Sequence, residues 1–159
     1  GKRMLILLLV SQLYSGAFAA ACPHGSNRFN CITFLDNHDG DTLTVTIPEV
    51  HPFFGNKIKV RVLGIDTPES HGKTPCEVEW SRVAKNLVAS ELSHAKRIDL
   101  IVDFKKRLDK YGRVLAKVIY DGKDLAEILI KNKLAVPYFG KKKQVTDWCK
   151  MQNARRGHP

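Results

Sequence analysis

Lys57-Ile58-Lys59-Val60-Arg61-Val62-Leu63 alternates basic and apolar side chains with a period of two. Such alternation marks a strand with one face on a core: Ile58, Val60 and Val62 point one way, Lys57, Lys59 and Arg61 the other. Upstream, Leu43, Val45 and Ile47 alternate with Thr44 and Thr46, which predicts a strand over 43–47. His51 to Asn56 (HPFFGN) lies between the two as a turn, and Ile32–Leu35 supplies an earlier apolar run. The three strands together predict an antiparallel meander.

Beyond residue 63 the period changes. Thr74-Pro75-Cys76-Glu77 fits a capping box, with Pro75 at the first helical position, where its missing N–H costs nothing. Trp80, Val83, Ala84, Leu87, Val88 and Leu92 then recur at helical spacing, so one face of this helix, Trp80 included, belongs to the core. Two further strands are expected at 98–104 and 114–120, separated by the polar connection 105–112. Asp121-Gly122 is a turn, a short helix carries Leu125, Ile128 and Leu129 and closes near Asn132, and a last helix covers about 146–155. At that closure Asn132 stands where glycine is usual, and it tolerates a left-handed conformation. Five strands with a helix after the third define the expected fold class: α+β, mainly β, a five-stranded oligonucleotide-binding (OB-fold) barrel with two to three helices packed on it.

The 159 residues suffice for one domain and carry 26 Lys and Arg against 16 Asp and Glu, a net charge of +10. That excess favours a polyanionic partner. Lys2 and Arg3, the apolar run Met4–Val10 and Ala17-Phe18-Ala19 read as a signal peptide over residues 1–19, leaving one domain over 20–159. The run is too short to span a bilayer, which argues against stable membrane association; the signal-peptide pattern makes the expectation a secreted or periplasmic protein, taken to be a monomer. Cys22, Cys31, Cys76 and Cys149 suit an oxidising compartment. Three pairings are open; in one of them Cys22–Cys31 ties the N-terminal arm and Cys76–Cys149 staples the C-terminal segment to the middle of the chain. No C-x-x-C pair supports zinc.

The residues able to do chemistry fall in three short blocks: Asp39-Gly40-Asp41-Thr42, Arg61 through Glu69, and Asp109-Lys110-Tyr111-Gly112-Arg113. Neighbouring antiparallel strands can bring Asp41 beside Asp66 across 25 positions of sequence. Two carboxylates without a nearby His or Cys form a hard oxygen site, which favours calcium or magnesium over zinc. Phosphodiester hydrolysis needs a positioned water, a cation on the phosphate and donors for the charge that develops. Carboxylates at 41, 66 and 69 and arginines at 61 and 113 supply that set. His38 and His71 lie near the motifs and are candidates to touch substrate, whereas Lys105–Arg107 and Lys141–Lys143 read as solvated basic faces.

These three blocks, in this order, resemble the signatures of the staphylococcal nuclease (thermonuclease) family, and the resemblance extends over most of residues 32–138. It implies an OB-fold endonuclease for DNA and RNA, single strands favoured, that uses one Ca2+ ion, has low sequence specificity and leaves 3′-phosphate ends. Asp41 and Asp66 match the metal-binding carboxylates and Thr67 the residue that adds its backbone carbonyl. Glu69 matches the general base or water-orienting group, and Arg61 and Arg113 match the arginines that grip the phosphate. Lys110, Tyr111 and Tyr138 match positions flanking the bound nucleotide. The hairpin between Thr42 and Lys59 is longer than in the best-known relative, and the loop 70–75 is shorter. The alternative is a non-catalytic nucleic-acid-binding module on the same barrel, which would have no need of Asp41, Arg61, Asp66, Glu69 and Arg113 together.

Overall fold

The computed structural model describes residues 21–157, so the signal-peptide reading of residues 1–19 lies outside the described residues. In chain order the elements are β1 (Arg28–Phe29), β2 (Thr33–Asn37), β3 (Thr42–Thr46), α1 (Pro52–Gly55), β4 (Ile58–Val62), β5 (Ile65–Asp66) and α2 (Pro75–His94). They continue with β6 (Ile98–Val102), a 3-10 turn (Phe104–Lys106), β7 (Val114–Tyr120), β8 (Lys123–Asp124), α3 (Leu125–Lys131), β9 (Val136–Pro137) and α4 (Trp148–Arg155).

The meander forms as the alternation requires. β2, β3 and β4 are antiparallel neighbours, with Phe34 opposite Val45 and Leu43 opposite Val60. β4 then runs parallel to β7, and β7 pairs antiparallel with β6, so the five long strands lie in the order β6-β7-β4-β3-β2. One continuous stretch of chain links the two ends of this order. β1 pairs with β6, the Ile32 N–H donates to the Ile98 carbonyl at 2.9 Å, and the same stretch proceeds into β2. This is the strand order of an OB fold, in the mainly β, α+β class expected from the pattern.

Leu43, Val45, Val60, Leu100 and Val118 are fully buried between the strands. α2 lays Trp80, Ala84, Val88 and Leu92 on them, four apart and therefore on one face. Each large apolar side chain removed from water this way contributes roughly 1.5–3 kcal/mol. Leu125 and Leu129 of α3 close the core from the far side of the β7–β8 hairpin. In that hairpin Asp121 and Gly122 both adopt positive φ, 47° and 77°, which suits the turn to the strand twist.

Several local expectations are corrected. The three helices expected at 75–92, 125–132 and 146–155 form as α2, α3 and α4, and a four-residue helical turn, α1, replaces the plain turn at 51–56. There the His51 ring accepts the Phe53 N–H at 3.1 Å and Pro52 occupies the first helical position. The strand expected at 98–104 ends at Val102, since the Asp103 carboxylate takes the Lys105 N–H at 2.9 Å and starts the 3-10 turn. After α3 the left-handed residue is Lys133, with φ 56°, whereas Asn132 keeps φ −82° and bonds its side-chain amide to the Ile128 carbonyl. α4 begins at Trp148, behind the capping carboxylate of Asp147.

Of the three cysteine pairings, the structure has Cys22–Cys31 and Cys76–Cys149. The second joins the first turn of α2 to α4. The Arg155 and Arg156 guanidinium groups complete that contact over the Trp80 ring, 5.7 and 5.1 Å from its centre. No helix among the described residues is long and apolar enough to cross a membrane.

Candidate active site

The loop before β3 is built to hold one carboxylate. Asn37 bonds its side-chain amide to the Asp39 and Lys85 carbonyls, and the Asp39 carboxylate accepts the Asp41 N–H at 3.0 Å. A Cβ on Gly40 would stand 2.9 Å from the Thr67 methyl and 3.0 Å from the Ala84 Cβ, so only glycine lets the loop press against both. Asp41 emerges beside the end of β4: its carbonyl accepts the Val62 N–H and its Oδ2 accepts the Thr67 N–H at 3.0 Å. Its Oδ1 takes the Thr42 hydroxyl at 3.2 Å.

Arg61 joins the two aspartates. Its Nη2 lies 3.2 Å from Asp41 Oδ2 and 3.2 Å from Asp66 Oδ1, so the carboxylates converge on a single nitrogen. Its Nη1 donates to the Val62 and Ile65 carbonyls, both at 2.9 Å. Arg61 therefore does not face water with Lys57 and Lys59, as alternation alone predicts. It is only 9% exposed, because two carboxylates and two carbonyls satisfy its charge and donors.

Glu69 and Asp66 are bridged by a residue that sequence reading placed on a solvated face. Lys143 Nζ lies 3.2 Å from Asp66 Oδ2 and also pairs with Glu69 Oε1. The lysine run at 141–143 carries no mark of this, since the contact spans 74 positions of sequence. The loop bearing Glu69 is held from beneath by Glu77. The Thr74 hydroxyl accepts the Glu77 N–H as a cap should, but the Glu77 carboxylate does not return to Thr74; it accepts the Glu69 and Lys73 N–H groups at 3.3 and 3.1 Å. The expected capping box is thus half formed, and its second half anchors the site loop.

Arg113 approaches from the start of β7. Asp109 accepts the Tyr111 and Arg113 N–H groups on Oδ1 and the Arg113 Nε on Oδ2 at 2.5 Å. Burial pushes the Asp109 carboxyl up, but these bonds outweigh it and hold the group below the usual range. Arg113 Nη1 then donates to the Thr42 hydroxyl at 3.2 Å, and its guanidinium stacks 5.2 Å from the Tyr111 ring, as does Lys110 at 5.0 Å. Tyr111 is 70% exposed, an open aromatic face beside Arg113. Tyr138 lies after β9, which pairs with β5 so that Val136 sits opposite Asp66, and its N–H bonds to the Gly64 carbonyl. The rings of His38 and His71 are exposed and make no hydrogen bond to these groups among the described residues.

One polar chain therefore runs Arg113–Thr42–Asp41–Arg61–Asp66–Lys143–Glu69. Burial, then the neighbouring Asp41 charge, pushes Asp39 up to about 6. Burial also raises Asp66 despite the pull of Lys143, and the Glu69 and Asp66 contacts raise Lys143 in spite of its own burial. Burial first, and then the Asp41 charge, disfavours the ionised forms of Asp39 and Asp66, and a bound cation would offset that. The donor set fits a hard ion. Asp41 and Asp66 present oxygens, and the Thr67 hydroxyl is buried without a hydrogen-bond partner. No group of three or more His, Cys, Asp or Glu gathers among the described residues, so such an ion would keep several water ligands.

Fold and site together define the class: an OB-fold domain that carries a buried carboxylate–arginine cluster where β3 begins and β4 ends. The family model described as staphylococcal nuclease homologue matches residues 59–157, and the chain belongs to that family. The matched range holds Arg61 through Arg113 and Tyr138; Asp41 precedes it and joins the site through its contacts with Arg61 and Thr67. The chain is 36% identical to Endonuclease YncB of Bacillus subtilis over 118 residues, 73% of this chain and 53% of that protein. It is 40% identical to the SPbeta prophage-derived endonuclease YokF of Bacillus subtilis over 97 residues, 61% of this chain and 30% of that protein. An uncharacterized protein of Methanocaldococcus jannaschii is 30% identical, with 74% and 72% of the two chains covered. The chain spans about half the length of the first relative and about a third of the second.

Proposed function

We propose that the protein is an exported, calcium-dependent endonuclease that hydrolyses DNA and RNA, single strands favoured, with low sequence specificity and 3′-phosphate products. The observation that carries this reading is the convergence of Asp41 Oδ2 and Asp66 Oδ1 on one Arg61 nitrogen, with Arg113 linked to Asp41 through the Thr42 hydroxyl and Glu69 linked to Asp66 through Lys143. Family membership and the printed names of the two Bacillus subtilis relatives support it. So do the basic charge and the two disulfides, which suit an oxidising compartment outside the cytoplasm.

In this reading Asp41, Asp66 and the Thr67 carbonyl hold one Ca2+ ion, which when bound polarises the scissile phosphate. Glu69, on the anchored loop, orients or deprotonates the attacking water. Arg61 and Arg113 donate to the phosphate oxygens as charge grows there, each with a planar fork that lysine lacks. Tyr111, Lys110 and Tyr138 flank the nucleotide, and the chain acts as a monomer. Digestion of denatured DNA in calcium, followed by analysis of the fragment ends, tests this. The fragments should resist polymerase extension until a phosphatase removes a 3′-phosphate; ends extended directly would overturn the assigned polarity.

A further inference from the structure

A groove of about 980 Å³ runs from Asp66 between the segment 136–147 and α4. Lys133, Lys141, Lys142 and Lys150 stand along it, all exposed, and none forms an ion pair among the described residues. Of the two carboxylates that line it, Asp66 pairs with Arg61 and Lys143, and Asp147 caps α4, where it accepts the Lys150 N–H at 3.0 Å. Between the lysines the lining is apolar, with Val136, Pro137 and Met151, and Phe139 beside them is 71% exposed. An apolar floor under a rim of unneutralised ammonium groups matches a nucleotide, whose base seeks an apolar face and whose phosphate seeks cations. Four ammonium groups without ion-pair partners along one groove also repel one another, and a bound polyanion relieves that repulsion.

We propose that this groove is a second nucleic-acid subsite, which takes nucleotides of a single strand beyond the phosphate held at Asp41 and Asp66. The proposal rests on the nuclease reading for the direction of the strand, since Asp66 belongs to both places. The volume exceeds what one base fills, so the subsite takes more than one nucleotide. Binding there has no base code, because lysines meet phosphate and Phe139 offers a ring face that any base can stack on.

The test measures binding of fluorescent thymidine oligonucleotides to the full protein in chelator, so that cleavage does not intrude. The wild type should bind an octanucleotide at least about tenfold more tightly than a dinucleotide. Lys133→Gln, Lys142→Gln and Lys150→Gln combined should remove most of that advantage. The same variant should flatten the dependence of log affinity on log salt by about 2, at roughly 0.7 for each phosphate left without its lysine. Phe139→Ala, which removes no charge, should weaken the octanucleotide several-fold and leave the salt slope unchanged. Thermal unfolding of both variants checks that they fold. An octanucleotide affinity and salt slope unchanged in the folded triple variant would overturn the subsite. A polyglutamate peptide that binds as tightly as the octanucleotide, with no effect of Phe139→Ala, would overturn its assignment to nucleotides. Failure of the wild type to cleave DNA in calcium would instead count against the nuclease reading, and the binding results would still decide the groove.

Discussion

The ammonium of Lys143 lies 3.2 Å from Asp66 Oδ2, on a carboxylate proposed above to hold the calcium ion. Asp66 is nearly buried while the Lys143 side chain is about half exposed, so the lysine can leave for solvent at small cost and the carboxylate cannot. Lys143→Gln should therefore raise calcium affinity in the absence of substrate, by roughly three- to tenfold if one competing charge worth up to about 1.4 kcal/mol is removed. Isothermal titration checks it, and an unchanged or weaker affinity would show that Lys143 does not compete.

Arg113→Lys keeps the charge and loses the fork that Asp109 holds in place through two backbone N–H groups and Nε. The expected outcome is a loss of about 10²–10³ in cleavage rate, the scale of one transition-state donor, with calcium affinity unchanged. Near-normal turnover would remove Arg113 from the site.

Asp99 predicts a pH dependence of stability. Burial pushes its carboxyl up, but bonds from Arg97, the Cys31 N–H and Arg28 prevail and hold it below the usual range. A carboxylate whose folded pKa is depressed stabilises the fold above its unfolded pKa of about 3.9, and that stability drains as pH falls through the folded value. Asp99→Asn should cost on the order of 2–3 kcal/mol near pH 7 and show less loss of stability than wild type between about pH 4 and 2. Denaturant melts across that range read both effects. Parallel curves for the two proteins would contradict it.

Cys76–Cys149 closes a loop of 73 positions and fixes α4, one wall of the basic groove. Replacing both cysteines with serine should lower stability by roughly 4 kcal/mol on the loop-entropy scale. The check is equilibrium unfolding with and without reductant: the wild type should respond to reductant and the double variant much less.

The fold was legible because its signals are local. The alternation at 43–47 and 57–63, the cap at Thr74 and the helical spacing from Trp80 to Leu92 each follow from neighbouring residues, and β3, β4 and α2 form there. Asp41, Arg61, Asp66, Glu69 and Arg113 stand out in the sequence as three blocks in family order, and in the fold Arg61 contacts both aspartates. What was missed depends on distant groups. Burial of Arg61 needs Asp41 from the loop before the neighbouring strand and a turn after β4 that folds the Val62 and Ile65 carbonyls and Asp66 back onto it. The partnership of Lys143 with Asp66 and Glu69 needs a returning C-terminal segment. The sequence around Glu77 predicts half of a local cap, but its carboxylate turns to the loop that carries Glu69 and accepts the Glu69 and Lys73 N–H groups there. The positive φ at Lys133 has no sequence signal either, since lysine rarely adopts it.

The most direct measurement of the central claim is the initial rate at which the wild type cleaves a fluorescent single-stranded oligonucleotide as free calcium is titrated. A site built on Asp41 and Asp66 predicts a rate that rises with calcium, saturates, and returns to zero when chelator is added. A rate that stays at background across all calcium concentrations, from neutral to alkaline pH, would contradict the account.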